Sequence, residues 1–229
     1  MLGILIPYHS FFEFLPIQLE NLKQHVKTEY RVYVLDNSLT GTTPLPGCKW
    51  VVSTATGSPS ERHQRTINKG LLMAWDECDC FLFFDNDMLL CDDFELPRCN
   101  YYVPQKRGNW EYGWLNLMFF WKDERLRHFD FAKCPETGER TDSGGSYGNF
   151  LRSGGMAAQI QTLPVPDYSV FGSYQKKYSH LCQEYGIGTW YDLFSISGTR
   201  VFHFRALSNW TKYPEEFQRR KKELILGSF

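Results

Sequence analysis

Through residues 1–90, short apolar runs ending on polar breaks alternate with stretches whose apolar positions recur every three to four residues. Gly3-Ile4-Leu5-Ile6-Pro7 predicts a strand of a parallel sheet, with Tyr8-His9-Ser10 as a polar loop at its carboxyl end. From Phe14 to Val26, apolar residues fall at 15, 19, 22 and 26, which predicts an amphipathic helix with Gln18, Glu20, Lys23 and Gln24 turned outward. Arg31–Leu35 predicts a second strand stopping at Asp36-Asn37-Ser38. Strand, helix and strand in that order make a right-handed crossover. Residues Gly41–Gly47 read as loop and Trp50-Val51-Val52 as a third strand. After a turn over Gly57–Ser60, a helix capped by Ser60 runs from about Glu61 to Trp75, with Ile67, Leu71, Leu72 and Trp75 inward. Phe81-Leu82-Phe83-Phe84 then predicts a strand buried on both faces.

The second half has a different texture. Tyr101–Val103 and Tyr112–Trp121 predict strands, the latter too apolar and aromatic for a surface hairpin. Lys122–Gly148 is charged and then glycine-rich, and predicts a mobile loop. Asn149–Gln161 predicts a helix interrupted at Gly154-Gly155, and Ser173–Tyr185 a helix stopped by Gly186. Trp190–Ser195 and Arg200–Phe204 predict a closing strand pair, and Tyr213–Leu226 a terminal helix with Pro214 in its first turn. No repeat or linker divides the chain, so one domain over 1–229 is expected, with a first half over 1–95 and a second over 96–229.

The composition narrows the classes. A chain of 229 residues is long enough for a sizeable core. With 25 basic and 26 acidic residues, the net charge of −1 gives no push toward nucleic acid or an anionic membrane. The basic cluster Arg219-Arg220-Lys221-Lys222 reads as a solvated helix face. Seven cysteines lack CxxC spacing and read as reduced thiols of a cytosolic protein. No apolar run approaches the roughly 20 residues that span a bilayer, and Met1–Pro7 is too short for a signal peptide. A soluble, cytoplasmic protein is expected.

Chemistry concentrates where apolar runs end. In open α/β sheets, ligands gather at the carboxyl ends of strands. The run Phe81–Phe84 ends in Asp85-Asn86-Asp87, whose two carboxylates offer hard oxygen ligands to Mg²⁺ or Mn²⁺. The same residues also suit a solvated strand-to-loop junction. His203 lies in the apolar-aromatic run Val201–Arg205, where an imidazole either packs as a satisfied core residue or ligates a metal.

Taken in order, the apolar first strand, the second strand ending in Asp36, the helix carrying Asn68-Lys69-Gly70 and the buried strand ending in Asp85-Asn86-Asp87 resemble a GT-A glycosyltransferase. The resemblance covers residues 3–90 well and the remainder loosely. It implies an α/β fold of GT-A type: a Rossmann-like, mostly parallel central sheet flanked by helices, with a smaller mixed acceptor-side region. It implies transfer of a sugar from a nucleotide-diphosphate sugar, a UDP-sugar first, to a glycan or other hydroxyl acceptor, with Mn²⁺ or Mg²⁺ bridging the diphosphate. On that reading Asp87, Asp85 and His203 serve the metal, Asp85 alternatively contacting ribose, and Asn86 shapes the turn. Pro7, Tyr8 and His9 contact the nucleotide, and Asp36 its base. Asn68 and Gly70 match the family's helix motif, but Ile67 stands where that motif has Arg, so Arg62 or Arg65 would supply the charge from one turn earlier. Arg205 and Ser208 would hold the diphosphate.

The general base of an inverting transfer would be Asp167 or Asp142; a retaining transfer needs neither. Two alternatives stand beside this reading. One is a phosphatase of the haloacid-dehalogenase type, although its Asp-x-Asp normally sits on the first strand. The other is a non-catalytic module that binds nucleotide or glycan. Small size and the lack of an anchor fit a bacterial, phage or viral enzyme.

Overall fold

The computed structural model describes residues 1–38, 43–52, 59–103, 117–127, 157–164, 171–188, 192–204 and 213–229. Four apolar runs form parallel strands: β1 (Leu2–Tyr8), β2 (Tyr30–Asp36), β3 (Cys48–Val52) and β4 (Cys80–Phe84), side by side as β3-β2-β1-β4. The sheet continues past β4 with β7 (Leu117–Trp121) and β6 (Tyr101–Val103), each antiparallel to its predecessor, and with β8 (Ala157–Gln159) parallel to β6. This is the mixed α/β architecture expected, a mostly parallel sheet with helices on its faces.

Period-two alternation sorts β4 between two cores. Leu82 and Phe84 pack on one face with Leu15 and Leu22 of α1 (Phe14–His25). Phe81 and Phe83 pack on the other with Ile67, Leu71 and Trp75 of α2 (Pro59–Trp75). The Trp75 ring stacks on Phe81 with centroids 5.3 Å apart. Gly70 lets α2 approach β2 closely, since a Cβ there would lie 2.2 Å from Leu35 Cδ2.

A second, wholly antiparallel sheet runs β5-β11-β10-β9, built from β5 (Met88–Leu90), β9 (Gln161–Leu163), β10 (Asp192–Ile196) and β11 (Thr199–His203). The β10–β11 connection is Ser197-Gly198, both at positive φ (51° and 91°), as a tight hairpin of matching twist requires. Its core also takes side chains from α3 (Gly172–Glu184) and α4 (Glu215–Leu226). The two halves of the chain interlock: β5 joins the second sheet, while β6, β7 and β8 complete the first.

Several expectations are corrected. The end of the helix expected over Asn149–Gln161 is instead strand: 157–159 pair with β6, and Gln161 opens the strand 161–163 that pairs with β10. Gln18 is wholly buried rather than outward, whereas Leu72 is 43% exposed rather than inward. Lys221, placed on a solvated face by its charged neighbours, is 1% exposed. Of Tyr112–Trp121, residues 117–121 form the strand and 112–116 lie outside the described residues, as do the glycine-rich stretch 143–148 and residues 149–156.

Candidate functional site

The acidic segment is a turn between two buried strands of different sheets. Met88 N–H donates to the Asp85 carbonyl at 3.2 Å and closes it. Asn86 Nδ2 donates to the Ser10 carbonyl at 3.0 Å, and Asn86 N–H donates to Asp85 Oδ1 at 3.0 Å. Gln18, from α1, donates through Nε2 to the carbonyls of Asp85 (2.7 Å) and Met88 (3.0 Å). Asp85 is half-buried, while Asn86 and Asp87 are only 2% and 1% exposed.

Strand pairing brings His203 to this turn. The β5–β11 register sets His203 opposite Met88, and Phe204 N–H donates to the Asp87 carbonyl at 2.8 Å. His203 Nε2 then lies 3.0 Å from Asp87 Oδ1, and Nδ1 lies 3.5 Å from Asp192 Oδ2 on the neighbouring strand. Burial opposes a charge on His203, but the carboxylates of Asp87, Asp192 and Asp85 outweigh it and raise the imidazole's pKa. Burial, reinforced by the Asp87 carboxylate, raises Asp85 well above the ordinary carboxylate range.

The donors fit a sparsely liganded dication. Asp87 Oδ1 is buried and faces His203 Nε2 at 3.0 Å. Two donors on adjacent corners of an octahedron with bonds of 2.0–2.1 Å stand about 3.0 Å apart. Among the described residues, no group of three or more His, Cys, Asp or Glu side chains is arranged to hold a metal. The structure therefore brings Asp87 and His203 together and leaves Asp85 beside them, without a closed cage. Magnesium-type ions bind in this way, through one or two protein ligands plus water and substrate phosphates.

A second polar cluster lies at the carboxyl ends of β1 and β2, where the register pairs Tyr8 with Asp36. Pro7 and Tyr8 are buried and His9 is exposed. The Tyr8 ring lies 6.1 Å from that of Trp50. Both Asp36 oxygens are engaged internally, with Ser38 N–H at 2.8 Å and Trp50 Nε1 at 3.1 Å. Next to it, Asn37 Oδ1 accepts from Thr66 on α2 at 2.7 Å. Asn37 Nδ2 is buried without a partner, as are Arg62 Nε and Asn68 Oδ1 on α2. Arg65 is exposed and Arg62 half-buried. The His63 imidazole is pushed down to about 4 by burial and by His9.

Asp142, Asp167, Arg205 and Ser208 lie outside the described residues. The basic cluster on α4 is tied up internally: Arg219 pairs with Glu216 and Glu223, Arg220 pairs with Glu184, and Lys221 is buried. Sequence reasoning missed Gln18 and Lys221, although helical spacing carried a signal for both.

No protein-family model matches the chain, and no curated protein matches it. Among solved structures, the catalytic domain of Drosophila β1,4-galactosyltransferase 7, in complex with xylobiose, is similar. Sequence identity is 16% and the TM-score 0.37, over 55% of this chain and 50% of that one, so the chain spans about half that structure's length. Among the described residues, no helix is long and apolar enough to cross a membrane.

Proposed function

We propose that the protein is a metal-dependent glycosyltransferase, moving a sugar from a nucleotide-diphosphate sugar, a UDP-sugar first, to a hydroxyl acceptor such as a glycan. The observation that carries this reading is Asp87 Oδ1, buried past the carboxyl end of the central strand and facing His203 Nε2 at 3.0 Å. Asp87 and His203 would hold Mn²⁺ or Mg²⁺, which supplies positive charge opposite a departing diphosphate. Asp192 faces the other ring nitrogen of His203 and would favour the tautomer whose lone pair is on Nε2. Burial of Asp87 strengthens its attraction for a cation. Trp50, half-buried with its ring 6.1 Å from that of the buried Tyr8, would offer aromatic surface for a base. Arg205 and Ser208 would contact the diphosphate, and Asp167 or Asp142 would take the acceptor proton if the transfer inverts.

The test is a thermal-shift and turnover screen of UDP-, GDP- and TDP-sugars with and without Mn²⁺. A ligand at a hundredfold excess over its Kd stabilises the native state by about 2.7 kcal/mol. Asp87→Ala is expected to lose the Mn²⁺-dependent shift and the transfer while keeping the fold. A mutant that transfers normally would sink the reading. Phosphate release from an aryl phosphate would favour the phosphatase, and donor binding without transfer or hydrolysis the binding module.

A further inference from the structure

We infer that Gln18 is the positioning residue of the acidic turn, setting where Asp87 presents its carboxylate; the inference rests on the reading that Asp87 and His203 hold a dication. Gln18 occupies an inner position of α1, with Phe14, Leu15 and Leu22 as its buried neighbours on the helix. An apolar side chain would satisfy packing there. Instead, both hydrogens of one amide go to the two carbonyls that bracket the turn, those of Asp85 and Met88. The Asp85 carbonyl also accepts the turn-closing Met88 N–H, so Gln18 and the turn's own hydrogen bond meet at one oxygen. Gln18 Oε1 remains buried without a partner. The amide thus leaves its own acceptor unsatisfied in order to hold the backbone on either side of Asp87.

Asn21, one helical turn further on, provides the contrast. Its Nδ2 donates to the Leu90 carbonyl at 2.9 Å and its Oδ1 accepts from Leu90 N–H at 2.8 Å. That tie docks the far end of β5 onto α1 and satisfies both amide atoms. The two residues therefore divide the work: Asn21 attaches the strand, and Gln18 shapes the turn that leads into it. Asp87 is fixed from the opposite side by Phe204 N–H on its carbonyl.

Mn²⁺ affinity, read by titration calorimetry on the full chain, separates positioning from general stability. Gln18→Met preserves bulk and removes both donors. It is expected to weaken Mn²⁺ binding by about 10–100-fold, the usual effect of losing an outer-shell partner. Asn21→Ala loses two hydrogen bonds on the same helix, and is expected to lower the melting temperature while leaving Mn²⁺ affinity within about twofold, because Asn21 holds β5 away from the ligands. If Gln18→Met does not fold, Gln18→His, which keeps one N–H, is measured instead and should fall between the wild type and full loss. Wild-type affinity in the Gln18 variant overturns the inference, as does an equal loss in Asn21→Ala. If the wild type binds no Mn²⁺, or Asp87→Ala binds it unchanged, the dication reading fails first and the role of Gln18 falls with it.

Discussion

Replacing Lys221 by Met should stabilise the protein. Lys221 projects from α4 into the interior, where Nζ lies 3.4 Å from the Phe204 carbonyl and 4.9 Å from the Tyr178 ring centroid. Burial outweighs the pull of Asp87 and Cys182 and brings its pKa from 10.5 down to about 8. At 1.36 kcal/mol per unit, keeping the charge in the folded state costs about 3 kcal/mol. Below pH 8 both states carry the proton and the full cost applies. Between about 8 and 10.5 the unfolded state binds more protons than the folded one, so stability rises with pH and the cost disappears. Methionine removes the charge together with the amine's long hydrogen bond and its contact with the Tyr178 ring, each worth about 1 kcal/mol, which leaves a net gain of about 1 kcal/mol at pH 7. Urea denaturation in EDTA at pH 7 and pH 10 measures this, with the mutant's advantage shrinking at the higher pH. A mutant less stable than wild type at pH 7, or a difference that ignores pH, would refute the reasoning: the charge would then be compensated in place.

Gly70→Ala should destabilise the fold by about 1–3 kcal/mol, since the added methyl would meet Leu35 Cδ2 inside a filled core; a thermal melt reads the loss. The raised His203 pKa makes the metal-free protein lose stability as pH climbs from 6.5 through the folded-state value, and the raised Asp85 acts in the same direction from a lower starting point. Denaturation curves of His203→Asn should be flatter over that window, and a slope equal to that of the wild type would count against the assignment. Over the same range Mn²⁺ affinity should rise with pH, because the ion and the proton compete for Nε2.

Much of the parallel sheet was legible because its strands are continuous apolar runs ended by polar residues, and β1, β2 and β4 lie where those runs predicted. The acids at the end of β4 were legible for the same reason. Helix faces were read by polarity, and polarity misled where the interior needed an amide or an amine. Phe217, Lys221 and Ile225 are spaced by four and form one buried stripe of α4, a spacing that outweighs the charges of Arg219, Arg220 and Lys222. Gln18 follows Phe14 by four residues and precedes Leu22 by four, so the helical period placed it inside. Residues 157–161 read Ala-Ala-Gln-Ile-Gln, mostly good helix formers, and pairing with distant strands makes them β. Met88–Leu90 is too short to show a period, and its partner β11 lies more than a hundred residues away.

The position of the site follows from that short strand. Phe81–Phe84 and Met88–Leu90 are both fully buried but belong to different sheets, and the turn between them leaves only Asp85 partly exposed. The turn carries Asn86 and Asp87 inward with it. A carboxylate in that place needs a counter-charge. The pairing that buries it also supplies one, because the register joining Met88 to β11 ends at His203, and the next residue donates its N–H to the Asp87 carbonyl. Burial of Asp87 and delivery of the imidazole are thus one consequence of strand pairing. A substitution that shifts the β5–β11 register by one residue would turn His203 to the opposite face of its sheet and separate the two donors.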